Sequence, residues 1–101
     1  MGVPMPLPQS VKVGGITLPV VLVDDIPVDG GRASGQWHYD SGELRVNRAL
    51  NPTEGQQRET MLHEVLHVID DSLALGLTEK QVHRLAAMLA AVLVDNPGLM
   101  G

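Results

Sequence analysis

Residues 59–71 read "ETMLHEVLHVIDD" and decide both the fold class and the chemistry of this chain. They sit inside a longer segment, "NPTEGQQRETMLHEVLHVIDDSL" (51–73), whose apolar residues recur at helical spacing. Leu62, Leu66, Ile69 and Leu73 form one stripe, with Met61, Val65 and Val68 beside it. The pattern predicts a helix from Gln56 to about Ser72. Asn51 is its expected N-cap, with Pro52 at the first helical position and Glu54 as the acid of a capping box. Gly55 weakens the first turn. His63, Glu64 and His67 interrupt the oily pattern.

Working upstream, "VKVGGITLPVVLVDD" is rich in Val and Ile, punctuated by Gly14-Gly15 and Pro19, and predicts one or two short strands. "IPVDGGRASG" is a loop or hairpin connection. "QWHYDSGELRVN" predicts a hairpin, with strands over 36–39 and 43–47 and a turn at Asp40-Ser41-Gly42. Downstream, Gly76 ends the first helix. Thr78 caps a second, with Gln81 at the capping-box position. Val82, Leu85, Ala86, Leu89, Val92 and Leu93 form its expected buried stripe, and "DNPG" (95–98) stops it. Strands followed by helices give an α+β domain: a small antiparallel sheet or hairpin, then an antiparallel two-helix hairpin. Residues 11–98 are the expected single domain, preceded by a flexible, Pro-rich stretch over 1–10.

Composition narrows the function. With no Phe, one Trp and one Tyr, the core must be aliphatic. With no Cys, disulfides and thiolate zinc sites are excluded, so a metal here would take His and carboxylate ligands. That lack also fits a cytoplasmic setting. A net charge of −5 without a basic cluster gives nucleic-acid binding no support. The first ten residues, "MGVPMPLPQS", carry no Lys or Arg and three prolines, unlike a signal peptide. The longest apolar run, "LAAMLAAVLV" (85–94), is too short to span a bilayer, so no membrane partner is expected. The oligomeric state is left open.

On a helix, His63 and His67 lie four residues and about 6 Å apart along the axis, on one face. Two imidazoles so placed can pinch one zinc ion. Glu64, one position on from His63, flanks such an ion and is positioned to take a proton from its bound water. This is the H-E-x-x-H arrangement, here H-E-V-L-H. The rival reading is an ordinary helix carrying two histidines, but burying two His and a Glu without partners is costly. A third ligand is needed. Asp71 continues the series but lies about 12 Å along the axis from His63, too far for one ion. Glu79 and His83, one turn apart on the second helix, remain. An acid in a first helical turn has a reason to be there without any metal. A simple antiparallel register with the turn near Leu75 sets His83 opposite His67 and Glu79 nearer Asp71, which leans to His83.

The run "TMLHEVLHVIDDSLALGLTEKQVHRLAAMLAAVLVDNP" (60–97) resembles the minimal zincin-like metallopeptidases of bacteriophages and prophages, distant relatives of the gluzincins and the ImmA/IrrE-type peptidases. The resemblance covers about 35–97 and includes "GLTEKQV" and the closing "DNP". It implies zinc as cofactor and a peptide or protein as substrate. It also implies an acid at the start of the second helix as third ligand, which ranks Glu79 first and His83 second. A phage origin implies the cytoplasm of a bacterial host. In related enzymes an extended substrate lies along an exposed sheet edge beside the metal helix. Here that edge is "GQWHYDSGELRVN", where Tyr39 or His38 is positioned to polarise the scissile carbonyl. The downstream Asn-Glu of longer gluzincins is absent, since Asn96 precedes Pro97. The expectation is a zinc metallopeptidase that hydrolyses peptide bonds, with Glu64 moving the proton. The alternative is a zinc-binding but non-catalytic interaction or assembly module of a phage.

Overall fold

The Val-rich segment after residue 8 forms two strands, β1 (Ser10–Val13) and β2 (Ile16–Val23), in a computed structural model that describes residues 7–38 and 40–99. Gly14, at φ 60, supplies the positive φ that the tight turn between them asks of its first residue. A two-residue hairpin follows, β3 (Pro27–Val28) with β4 (Gly31–Arg32). Then come β5 (Gly35–His38), β6 (Glu43–Asn47), α1 (Glu54–Leu73) and α2 (Glu79–Asp95). The fold is α+β: a small, mostly antiparallel sheet followed by two helices. Among the described residues no helix is long and apolar enough to cross a membrane. Of the Pro-rich stretch 1–10, residues 1–6 lie outside the described residues. Gln9 accepts a hydrogen bond from the Val20 N–H and Ser10 already pairs with Pro19.

Sheet order is β1-β2-β6-β5. β1 with β2 and β5 with β6 are antiparallel, but β6 also pairs in parallel with β2, from Val20–Leu44 to Val23–Asn47. The hairpin therefore slots its second strand into the middle of the sheet. Burial explains the choice, because Leu44, Val46 and Asn47 of β6 are wholly buried. Leu44, Leu18 and Val68 form the core, ringed by Val11, Val13, Val20, Trp37 and Val65. Each such aliphatic side chain contributes roughly 2 kcal/mol by leaving water.

The helix begins later in its cap than Asn51 and Pro52 imply. Thr53 is the N-cap, and its hydroxyl accepts from the Gln56 N–H while the Gln56 side chain returns to the Thr53 N–H. Asn51 is instead buried as a staple. Its amide donates to the backbone oxygens of Ser34 and Asn47, and its side-chain oxygen accepts from the Thr60 hydroxyl at 2.8 Å. This ties the β5 and β6 ends to α1. Asn47 does similar work, donating to the Ala33 carbonyl and accepting from the Ala49 and Leu50 N–H groups.

The expected buried stripes shift. In α1 the buried residues are Glu64 and Val68, and Leu73 is exposed. In α2, Val82 and Ala86 are buried as expected, whereas Leu85, Leu89 and Leu93 are exposed. The reason is that α1 packs on β1, β5, β6 and α2, while α2 packs against α1. Ala74, not Gly76, takes the left-handed position at the α1 C-cap, with φ 51. Thr78 caps α2 in a full capping box with Gln81, as the sequence indicates.

Candidate metal centre

The helix that carries H-E-V-L-H turns its histidines toward α2 and its glutamate toward the sheet edge. His63 and His67 ring centroids are 4.8 Å apart. Both rings direct Nε2 at a single carboxylate: His63 Nε2 lies 2.6 Å from Glu79 Oε1, and His67 Nε2 lies 3.0 Å from Glu79 Oε2. The donor atoms of the three residues fall within 4.8 Å of one another.

Local chemistry brings Glu79 there. Past the left-handed Ala74 the chain turns again at Gly76, φ 72, and the Asp70 carboxylate accepts the Leu77 N–H at 3.0 Å. Thr78 then starts α2 with Glu79 in its first turn, where a carboxylate also suits the helix dipole. This register differs from the simple one that set His83 opposite His67. The His83 ring is 6.0 Å from that of His63 and stands one turn further along the cleft. Asp71 lines the cleft without joining the donor cluster.

Two imidazole nitrogens and a carboxylate are the donor types that zinc takes. Donors about 2 Å from one tetrahedral ion stand roughly 3.3 Å apart. Glu79 needs to withdraw only a few tenths of an ångström to admit one, and its side chain is 70% exposed and free to do so. The set fits a metal of this kind.

Glu64 occupies a different environment. It is 8% exposed, against the free edge of β5. Its carboxylate accepts the Trp37 N–H, and its pKa is pushed up from 4.5 to about 7. Burial is the main cause, aided by the charge of Glu79 and opposed by His67 and by the Trp37 hydrogen bond. Space for this contact depends on Gly35. A Cβ there would stand 2.6 Å from Thr60 Cγ2 and 3.1 Å from Glu64 Oε2.

These residues share a cleft of about 810 Å³ between β5 and the two helices, lined by Trp37, Thr60, His63, Glu64, Glu79 and His83 among others. β5 forms its rim as an edge strand of the sheet. His38 is not part of the lining. It sits at the far end of β5, where its Nδ1 meets the Ser41 hydroxyl at 2.9 Å and accepts the Ser41 N–H. Tyr39 lies outside the described residues. Sequence reasoning missed Gly35, the Trp37 N–H and Asp70. A lone glycine in a Gly-rich stretch carries no local mark of a neighbour 25 residues away (Thr60), so only the packing reveals it.

No protein-family profile, no curated protein and no solved structure matches this chain.

Proposed function

We propose that the protein is a zinc-dependent metallopeptidase in which His63, His67 and Glu79 hold the ion and Glu64 is the general base and acid. What supports the reading above all is the convergence of both His Nε2 atoms on the Glu79 carboxylate beside a buried Glu64 in one open cleft. When bound, zinc lowers the pKa of a ligated water toward about 7 and polarises a carbonyl oxygen. Glu64 accepts a proton at its carboxylate and returns it to the leaving amine nitrogen, a task suited to an acid whose pKa burial has raised toward neutrality. The Trp37 hydrogen bond and Gly35 hold that carboxylate in place. β5, as a sheet edge beside the cleft, suits an extended peptide that borrows main-chain hydrogen bonds. A cysteine-free chain suits the reducing cytoplasm of a bacterial host.

The test is metal analysis of protein purified without a His tag, paired with two variants. Stoichiometric zinc is expected, falling by more than about 100-fold in affinity for Glu79→Ala, since even supporting groups around a metal matter by 10–100-fold. Glu64→Gln should keep zinc and lose on the order of 100-fold or more of any peptide hydrolysis. Protein without zinc would sink the proposal. Zinc without hydrolysis in the wild-type protein would leave the non-catalytic module as the better reading.

A further inference from the structure

The chemistry occupies one flank of α2, and the opposite flank carries a separate feature. Residues 85–94 hold ten apolar residues without a charge. Val82 and Ala86 are the buried positions of the helix. On the outward side Met88 is 67% exposed and Val94 is 64% exposed, joined by Leu85, Ala87 and Ala91. Leu77, Gln81, Arg84, Leu85 and Met88 line a shallow groove of about 350 Å³ on that side. Arg84 and Asp95 bracket the run. They stand eleven positions apart, three turns that bring them within about 20° of one line along the helix. Neither makes an ion pair among the described residues. Asp95, in the last turn of α2, opposes its own helix dipole, and no basic residue stands in that turn to offset it.

The geometry points to a second copy of this chain as the occupant, its α2 packed antiparallel against the first about a two-fold axis level with Leu89 and Ala90. That pairing sets Arg84 of each copy beside Asp95 of the other, which supplies the missing cation at both helix ends. It sets Met88 opposite Ala91, a large side chain against a small one, both on the same line of the helix as Arg84 and Asp95. Residues 91–95 of each copy then lie over the groove of the other. An isologous contact needs such a self-complementary patch. A helix face three turns long covers on the order of 500 Å² per copy, below the roughly 800 Å² per partner of a standard interface, so the dimer is weak and concentration-dependent. Glu79 and His83 stay on the flank that faces the cleft. The inference does not rest on the zinc reading.

Sedimentation equilibrium of the chain as purified, up to about 1 mM where millimolar affinities register, tests it. A reversible dimer is expected, and Met88→Glu should weaken it by at least about 10-fold with circular dichroism unchanged. Arg84→Glu and Asp95→Arg should each weaken it similarly, because each places like charges together twice. An equimolar mixture of those two variants should dimerise as well as wild type, because the mixed dimer restores both pairs. A monomer throughout the range, including one whose face takes a different protein, overturns the inference. So does a dimer indifferent to these changes, or a mixture that fails to recover.

Discussion

The two helices differ in a way that their sequences invert. α1 carries two histidines and a glutamate in its middle, yet it is the covered helix, with strands on one side and α2 on another. α2 is apolar for ten consecutive residues, yet Leu85, Met88, Leu89, Leu93 and Val94 face solvent. Hydropathy sets how much a residue gains from burial, while the neighbours that topology delivers decide whether burial happens. α1 is rich in neighbours, so it can bury Glu64 and fix its geometry. α2 has spare apolar surface, the mark of a face available to another molecule.

The sharpest test of that contrast places the same residue on each helix. Val68→Gln should cost at least about 3 kcal/mol in urea unfolding, because it forces an amide into a full, apolar core. Met88→Gln, read in dilute protein, should stay within about 0.5 kcal/mol. Equal losses would erase the distinction between the helices.

A second test uses pH. In the metal-free protein the folded state holds the Glu64 proton between pH 4.5 and about 7, where the unfolded chain has released it. The stabilisation from this group is therefore fully present below pH 4.5 and is lost as pH rises through about 7. Glu64→Gln, which has no charge to bury, should be more stable than wild type by up to about 3 kcal/mol at pH 8, with the difference vanishing near pH 4. Unfolding curves of the two chelated proteins across that range would check it, and a gap of constant size would refute the burial account.

Two glycines, one beside α1 in β5 and one in the first turn of α1, make a third comparison. Gly35→Ala should cost about 1–3 kcal/mol, because Thr60 or β5 must move, and it should depress hydrolysis by displacing Glu64. Gly55→Ala meets only the Thr53 hydroxyl at 4.0 Å and should stabilise by up to about 1 kcal/mol. A gain of similar size belongs to the join between the helices. Ala74→Gly should raise stability by about 0.5–1 kcal/mol, since alanine holds a left-handed conformation there at φ 51. Thermal melts of all three variants would rank them.

Much of the fold was legible because its signals are local. The Thr78 and Gln81 capping box, the β5–β6 hairpin turn and the two Val-rich strands each declare themselves within a few residues. The cap of α1 was legible only in part. Asn51 and Pro52 fit the N-terminal pattern as well as Thr53 does, and Asn51 is withdrawn by partners in β5 and β6 that lie far from it in the chain. The parallel pairing of β2 with β6 leaves no local trace, since each strand is equally apolar in either neighbourhood. His38 and Glu79 show the same limit at the site. His38 belongs to a turn with Ser41, while Glu79 reaches both histidines because Asp70 and Ala74 set the angle and register of α2.

By itself the sequence determined that a helix exists around residues 59–71 and that His63 and His67 share one of its faces, because 3.6 residues per turn permits nothing else. It also determined where α2 begins. Only the tertiary structure decided that Glu79 faces those histidines, that Gly35 leaves room for a buried Glu64, and that the most apolar helix shows its outer face to water. The physical reason is range. Helical period and capping act over three or four residues, whereas register, burial and the meeting of distant side chains arise from packing across the whole chain.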